Sequence, residues 1–120
     1  MAEPTLHHGG CHCGAVRYHV ELDLESKAIA CNCSICGRSG SLLQFVPEAK
    51  FTLEKGDDQL TDYQFNRRHI HHVFCKTCGI KSFARGTSPT GDKMVAVNVR
   101  CLDDVDVFTQ PTQQYDGKKL

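Results

Sequence analysis

The chain contains no tryptophan, and its 120 residues include only three tyrosines and six phenylalanines. A core with so little aromatic volume is small for the surface it must stabilise. A charge excess of either sign is missing as well: 14 basic residues meet 14 acidic ones, for a formal net charge of zero. No overall field or basic stripe favours nucleic acid or an anionic membrane surface as a partner. Long apolar runs are also absent, since nothing approaches the roughly 18 consecutive apolar residues of a membrane span. The N-terminal residues, with Glu3, His7 and His8, lack the apolar region of a secretory signal. The expectation is one cytoplasmic domain without a membrane or nucleic-acid partner, because 120 residues at 40% apolar content suit a single globular unit.

What the sequence has in excess is cysteine, with eight in 120 residues. In an exported chain that count would suggest a disulfide framework, whereas in a reducing compartment closely spaced cysteines are metal ligands. Three clusters hold all but one of them: Cys11 and Cys13 in "CHC", Cys31, Cys33 and Cys36 in "CNCSIC", and Cys75 and Cys78 in "CKTCG". A Cys-x-x-Cys followed by glycine is a compact zinc half-site, because the turn lets both sulfurs converge and Gly79 can adopt the backbone geometry of a tight knuckle. An extended Cys-x-Cys points both side chains to one face, so Cys11 and Cys13 can form the other half. Together the four thiolates make a closed tetrahedral zinc centre, whose binding free energy would contribute to folding.

That sorting leaves Cys31, Cys33 and Cys36, the ligand count of a zinc site that keeps a position open for chemistry. Cys101, His12, His69, His71 or His72 can equally supply a fourth ligand and close it, and spacing does not separate these cases. Cys33-Ser34-Ile35-Cys36 also has the form of a dithiol redox motif. Such motifs open a helix within a strand-helix-strand pattern, and the neighbouring residues read instead as strands and glycines. Cys101, standing alone, reads as a small buried hydrophobe.

Between the clusters the period is that of short strands. Val16, Tyr18, Val20 and Leu22 alternate with Arg17, His19 and Glu21. Shorter patterns occur at Leu42 to Val46, Phe51 to Leu53, Tyr63 to Phe65, Ile70 to Phe74 and Met94 to Val99. "EKGDD" at 54–58 and "RGTSPTGD" at 85–92 are turn segments, and no long amphipathic helix is evident. The reading is a mostly β, single zinc-binding domain over 1–120. Its core spans about 6–108, and from Thr109 a polar tail is expected to pack poorly.

"GGCHCGAVRY" at 9–18, "CNCSICGRSG" at 31–40, "HHVFCKTCGIKSF" at 71–83 and "VNVRCLDDVD" at 97–106, in that order, resemble the glutathione-dependent formaldehyde-activating enzyme family, which also includes centromere-protein-V-like domains. The resemblance implies several coiled, mainly antiparallel sheets built around two zincs per chain. One zinc would be structural, on Cys11, Cys13, Cys75 and Cys78; the other would be catalytic, on Cys31, Cys33 and Cys36. It implies a carbon-sulfur lyase similar to S-(hydroxymethyl)glutathione synthase, joining a thiol such as glutathione to a small aldehyde such as formaldehyde. Arg38 stands where the family commonly has a basic residue and is a candidate substrate contact. "NRRHIHH", Asn66 to His72, reads as a solvated loop, with Arg67 and Arg68 as possible carboxylate partners. The alternative function is a non-catalytic interaction module with two structural zincs.

Overall fold

Tyr18, Val20 and Leu22 place one face of a strand in the core, and the strand they form, β2 (Arg17–Leu22), is the centre of a three-stranded sheet. In this computed structural model, which describes residues 4–65 and 70–117, β2 pairs antiparallel with β1 (Thr5–Gly10) on one side. On its other side lies β5 (Phe51–Lys55), and the register shifts between Arg17 and Tyr18.

The remaining strands form a seven-stranded sheet in the order β10-β3-β4-β9-β8-β7-β6. These are β3 (Ala28–Cys31), β4 (Leu42–Pro47), β6 (Leu60–Tyr63), β7 (His71–Cys75), β8 (Phe83–Thr87), β9 (Lys93–Asn98) and β10 (Thr112–Tyr115). Every pairing in it is antiparallel except that of β10 with β3. The sheets meet through three rings: Tyr18 and Phe51 from the small sheet, and Phe83 from the large one. Their centroids are 4.7 to 5.7 Å apart. Tyr18 also donates to the Ser82 carbonyl at 3.1 Å, so its buried hydroxyl is satisfied. Cys11 and Cys75 are buried in the same cluster, which ties one group of thiols to the core.

The expected mostly β, small domain is therefore observed: the described residues form two sheets with one short α-helix, α1 (Cys36–Ser39). Several local expectations differ. The tail expected to pack poorly supplies β10, whose backbone is held by bonds such as Ala28 N–H to the Pro111 carbonyl at 2.9 Å. Its side chains are exposed, so polarity alone concealed a strand that hydrogen-bonds at a sheet edge. The strand expected over Tyr63 to Phe65 ends at Tyr63, and the segment at 85–92 turns only from Ser88, since Arg85 to Thr87 pair with β9. Val95 and Val97 are buried as expected, but so are Ala96 and Asn98, because β9 is a central strand covered on both faces.

Candidate metal centres and their cleft

Cys75 ends β7 and Cys78 follows one turn later. Gly79 takes a φ of 77° and its N–H bonds to the Cys75 carbonyl at 2.8 Å, the knuckle its position predicted. Cys11 and Cys13, expected to be extended, instead lie in a turn after β1. That turn still converges the sulfurs: Cys11 to Cys13 and Cys13 to Cys75 are each 3.6 Å. The sulfurs of a tetrahedral zinc-thiolate site at 2.3 Å bonds stand about 3.8 Å apart, so the four donors fit such an ion. All four lie within 4.8 Å of one another and could hold a metal.

Amides support these sulfurs. Val16 N–H points at Cys11 Sγ at 3.3 Å, and Thr77 and Cys78 N–H point at Cys75 Sγ at 3.4 and 3.5 Å. The amides of Cys13 and Ile80 pull the Cys78 thiol down to about 6, and the Cys78 amide leads those that lower Cys75. Amide donors favour a negative sulfur, the form a metal binds.

Cys31, Cys33 and Cys36 form the second group, also within 4.8 Å of one another. Cys31 closes β3, Cys33 sits in the following bend and Cys36 begins α1. The expectation of no helix here is thus corrected: a single turn forms, with Gly37 N–H to the Cys33 carbonyl at 2.8 Å and Gly40 N–H to the Cys36 carbonyl at 2.9 Å. At four residues it is one turn between β3 and β4, strands that pair antiparallel with each other. Burial works against the Cys33 thiolate, but the Cys36 amide, the thiols of Cys31 and Cys36 and the Ile35 amide outweigh it and lower its pKa. Cys36 is pushed up to about 12 by burial and by the adjacent Cys33 sulfur.

Among the described residues no further His, Cys, Asp or Glu joins this group within 4.8 Å. Cys101 is half-buried, with its thiol 3.9 Å from the Lys81 carbonyl and its pKa raised to about 11 by burial. His12 is exposed, and His71 Nδ1 lies 2.7 Å from Asp62. His72 is buried against the Phe65 ring, with centroids 5.2 Å apart. His69, Arg67 and Arg68 lie outside the described residues.

Cys31 and Cys36 line a cleft of about 740 Å³, together with Asn32, Arg100 and Gln114. Arg100 was not singled out by sequence, where it is one more surface cation. Its placement comes from Asn98, whose Oδ1 accepts from the Leu42 and Arg100 amides at 3.2 Å each while its Nδ2 donates to the Lys81 carbonyl at 3.0 Å. Lys81 is half-buried, and the negative Cys36 and Cys33 sulfurs partly offset the lowering of its pKa by burial. Arg38 lines a different cleft, of about 480 Å³, with Ser34, Ile35 and Tyr63, and donates to the Ser34 carbonyl at 2.8 Å.

Residues 6–117 match the family described as glutathione-dependent formaldehyde-activating enzyme. Among solved structures, the chain is similar to a crystal structure of a Rhodobacter sphaeroides protein. The two share 32% sequence identity with a TM-score of 0.77, over 90% of this chain and 99% of that one.

Proposed function

Because the chain belongs to the glutathione-dependent formaldehyde-activating enzyme family, we propose that it joins a small thiol to a small aldehyde, and splits the adduct in reverse, at the three-cysteine group. The activity is that of a carbon-sulfur lyase similar to S-(hydroxymethyl)glutathione synthase, with glutathione and formaldehyde as the first substrates to test. The carrying observation is that three thiols converge with no fourth donor among the described residues, and that two of them, Cys31 and Cys36, line a cleft. The alternative of a closed, non-catalytic second centre requires a donor that the described histidines and Cys101 do not supply.

Cys11, Cys13, Cys75 and Cys78 would hold a structural zinc, and Cys31, Cys33 and Cys36 a second. When bound there with a ligand position free, zinc would favour an arriving thiol as its thiolate. The reaction forms one carbon-sulfur bond. The substrate sulfur gives up its proton and adds to the carbonyl carbon, the π pair moves to oxygen, and oxygen takes a proton to give the S-hydroxymethyl product. This chain's part is placement. The walls of the cleft hold thiol and aldehyde together, and Arg100, whose backbone Asn98 holds at the cleft, pairs with a carboxylate of the thiol substrate. Arg38, in the neighbouring cleft, is a candidate contact for the far end of a long thiol. Closely spaced metal-ligating thiols suit a reducing compartment, which favours the cytoplasm.

The test is exchange between formaldehyde plus glutathione and their adduct, followed by NMR with zinc-loaded protein. Exchange faster than in buffer and abolished by Cys33→Ser is expected. Exchange no faster than in buffer would remove glutathione as the substrate.

A further inference from the structure

Among the described residues and outside the cysteine groups, one cluster of metal-binding side chains spans three adjacent strands. His8 on β1 and His19 on β2 are direct register partners, and their rings meet edge to face at 5.9 Å. Glu54 comes from β5, on the other side of β2, near the place where the register shifts. One carboxylate oxygen, Oε2, lies 2.8 Å from His19 Nδ1 and 3.4 Å from His8 Nδ1. All three donors fall within 4.8 Å of one another, and the side chains keep 54%, 34% and 41% of their surface for His8, His19 and Glu54.

We propose that His8, His19 and Glu54 form a third metal centre, which binds zinc or a similar divalent transition ion with water at the remaining positions. Two imidazoles and one carboxylate are a complete protein donor set for an open zinc site, and borderline ions prefer this mixture to calcium or magnesium. Directly opposed residues on paired strands have β-carbons about 5 Å apart, close enough for both rings to reach one ion without backbone movement. Arg17, a cation close enough to act on Glu54, has both its terminal nitrogens on the Asp103 carboxylate, which offsets its charge there. The other histidine–carboxylate contacts among the described residues offer fewer metal donors: His7 meets Asp104 and the Thr5 hydroxyl, and His71 meets Asp62 with an amide from Gln64. An ion at this site would cross-link β1, β2 and β5, and β1 runs directly into Cys11. The centre is exposed and built without thiolates, so it should exchange its metal far more readily than the cysteine groups do.

Calorimetric titration of zinc chloride into protein already carrying its thiolate-bound zinc tests this, with wild type compared with His8→Ala, His19→Ala and Glu54→Gln. One additional equivalent is expected in wild type. It should weaken at least about 10- to 100-fold in each single variant and vanish in the His8→Ala/His19→Ala double variant, while His71→Ala retains it. Nickel, which is paramagnetic in such a site, should broaden amide signals around residues 8, 19 and 54 first. Amide spectra of the variants carrying only their thiolate-bound zinc should match wild type, which separates lost ligation from lost fold. No additional equivalent in wild type, an equivalent that survives in the double variant, or nickel broadening centred elsewhere would each overturn the proposal. None of these outcomes depends on whether the three-cysteine group is catalytic.

Discussion

Gly117 lies against Cys31 so closely that a β-carbon on the glycine would stand 2.5 Å from the cysteine sulfur and 3.2 Å from the Cys33 β-carbon. The segment following β10 thus forms part of the wall around the three-cysteine group, and the parallel pairing of β10 with β3 holds it there. Gly117→Ala should therefore displace Cys31 and reduce zinc affinity at the second centre at least about tenfold, with the melt of the core little changed. Metal analysis after mild chelation reads the first effect and circular dichroism the second. Full retention of both zincs would mean that the wall yields.

The two cysteine groups should differ in what they support. Cys11 and Cys75 are buried in the main core, whereas Cys31 and Cys33 are half-buried around a smaller cluster. Cys78→Ser should cost more than about 4 kcal/mol or prevent folding, while Cys33→Ser should stay within about 1 kcal/mol of wild type and carry one zinc fewer. Denaturant melts with elemental analysis decide it. Equal loss of structure in the two would favour two structural centres.

Arg100 and Arg38 stand in different clefts, and kinetics can tell which receives the thiol. A charge-assisted hydrogen bond is worth about 1.5–3 kcal/mol, so Arg100→Ala should raise KM for glutathione about 10- to 100-fold with kcat nearly unchanged. Arg38→Ala, whose guanidinium already donates to the Ser34 carbonyl in the neighbouring cleft, should change KM less than about fivefold. A larger effect at Arg38 would move substrate binding to its cleft.

His72 gives a pH dependence of stability. Burial first, and the positive Lys81 next, lower its pKa from 6.5 to about 4, and its Nδ1 has no hydrogen-bond partner among the described residues. Between those values the unfolded chain binds the extra proton, so this contribution is complete above about pH 6.5 and is lost as pH falls toward 4. His72→Phe keeps a ring against Phe65 and removes the titration. Relative to wild type it should gain about 1–2 kcal/mol at pH 5 over its difference at pH 7.5, read from urea melts. A difference between the two proteins that does not move with pH would show that His72 keeps its ordinary pKa in the fold.

Much of this protein is legible from residue order. Alternation exposed β2, whose buried face is Tyr18, Val20 and Leu22, because strand period and half-burial leave the same mark in sequence. Cysteine spacing separated the thiols into a four and a three, since donors close in sequence need only a turn to converge. The knuckle at Gly79 followed from the same local geometry. Four strands escaped: β1 and β10 lie at sheet edges and exist because a neighbour offers a free edge, while β3 and β8 are too short to show a clear period. Pairing partners that lie far apart in the chain leave no local period to read. For the same reason only the tertiary structure brought Arg100 to the cleft of Cys31 and Cys36, set Gly117 against Cys31, and placed His8, His19 and Glu54 on neighbouring strands. Each depends on strand register, which long-range hydrogen bonding and packing fix together.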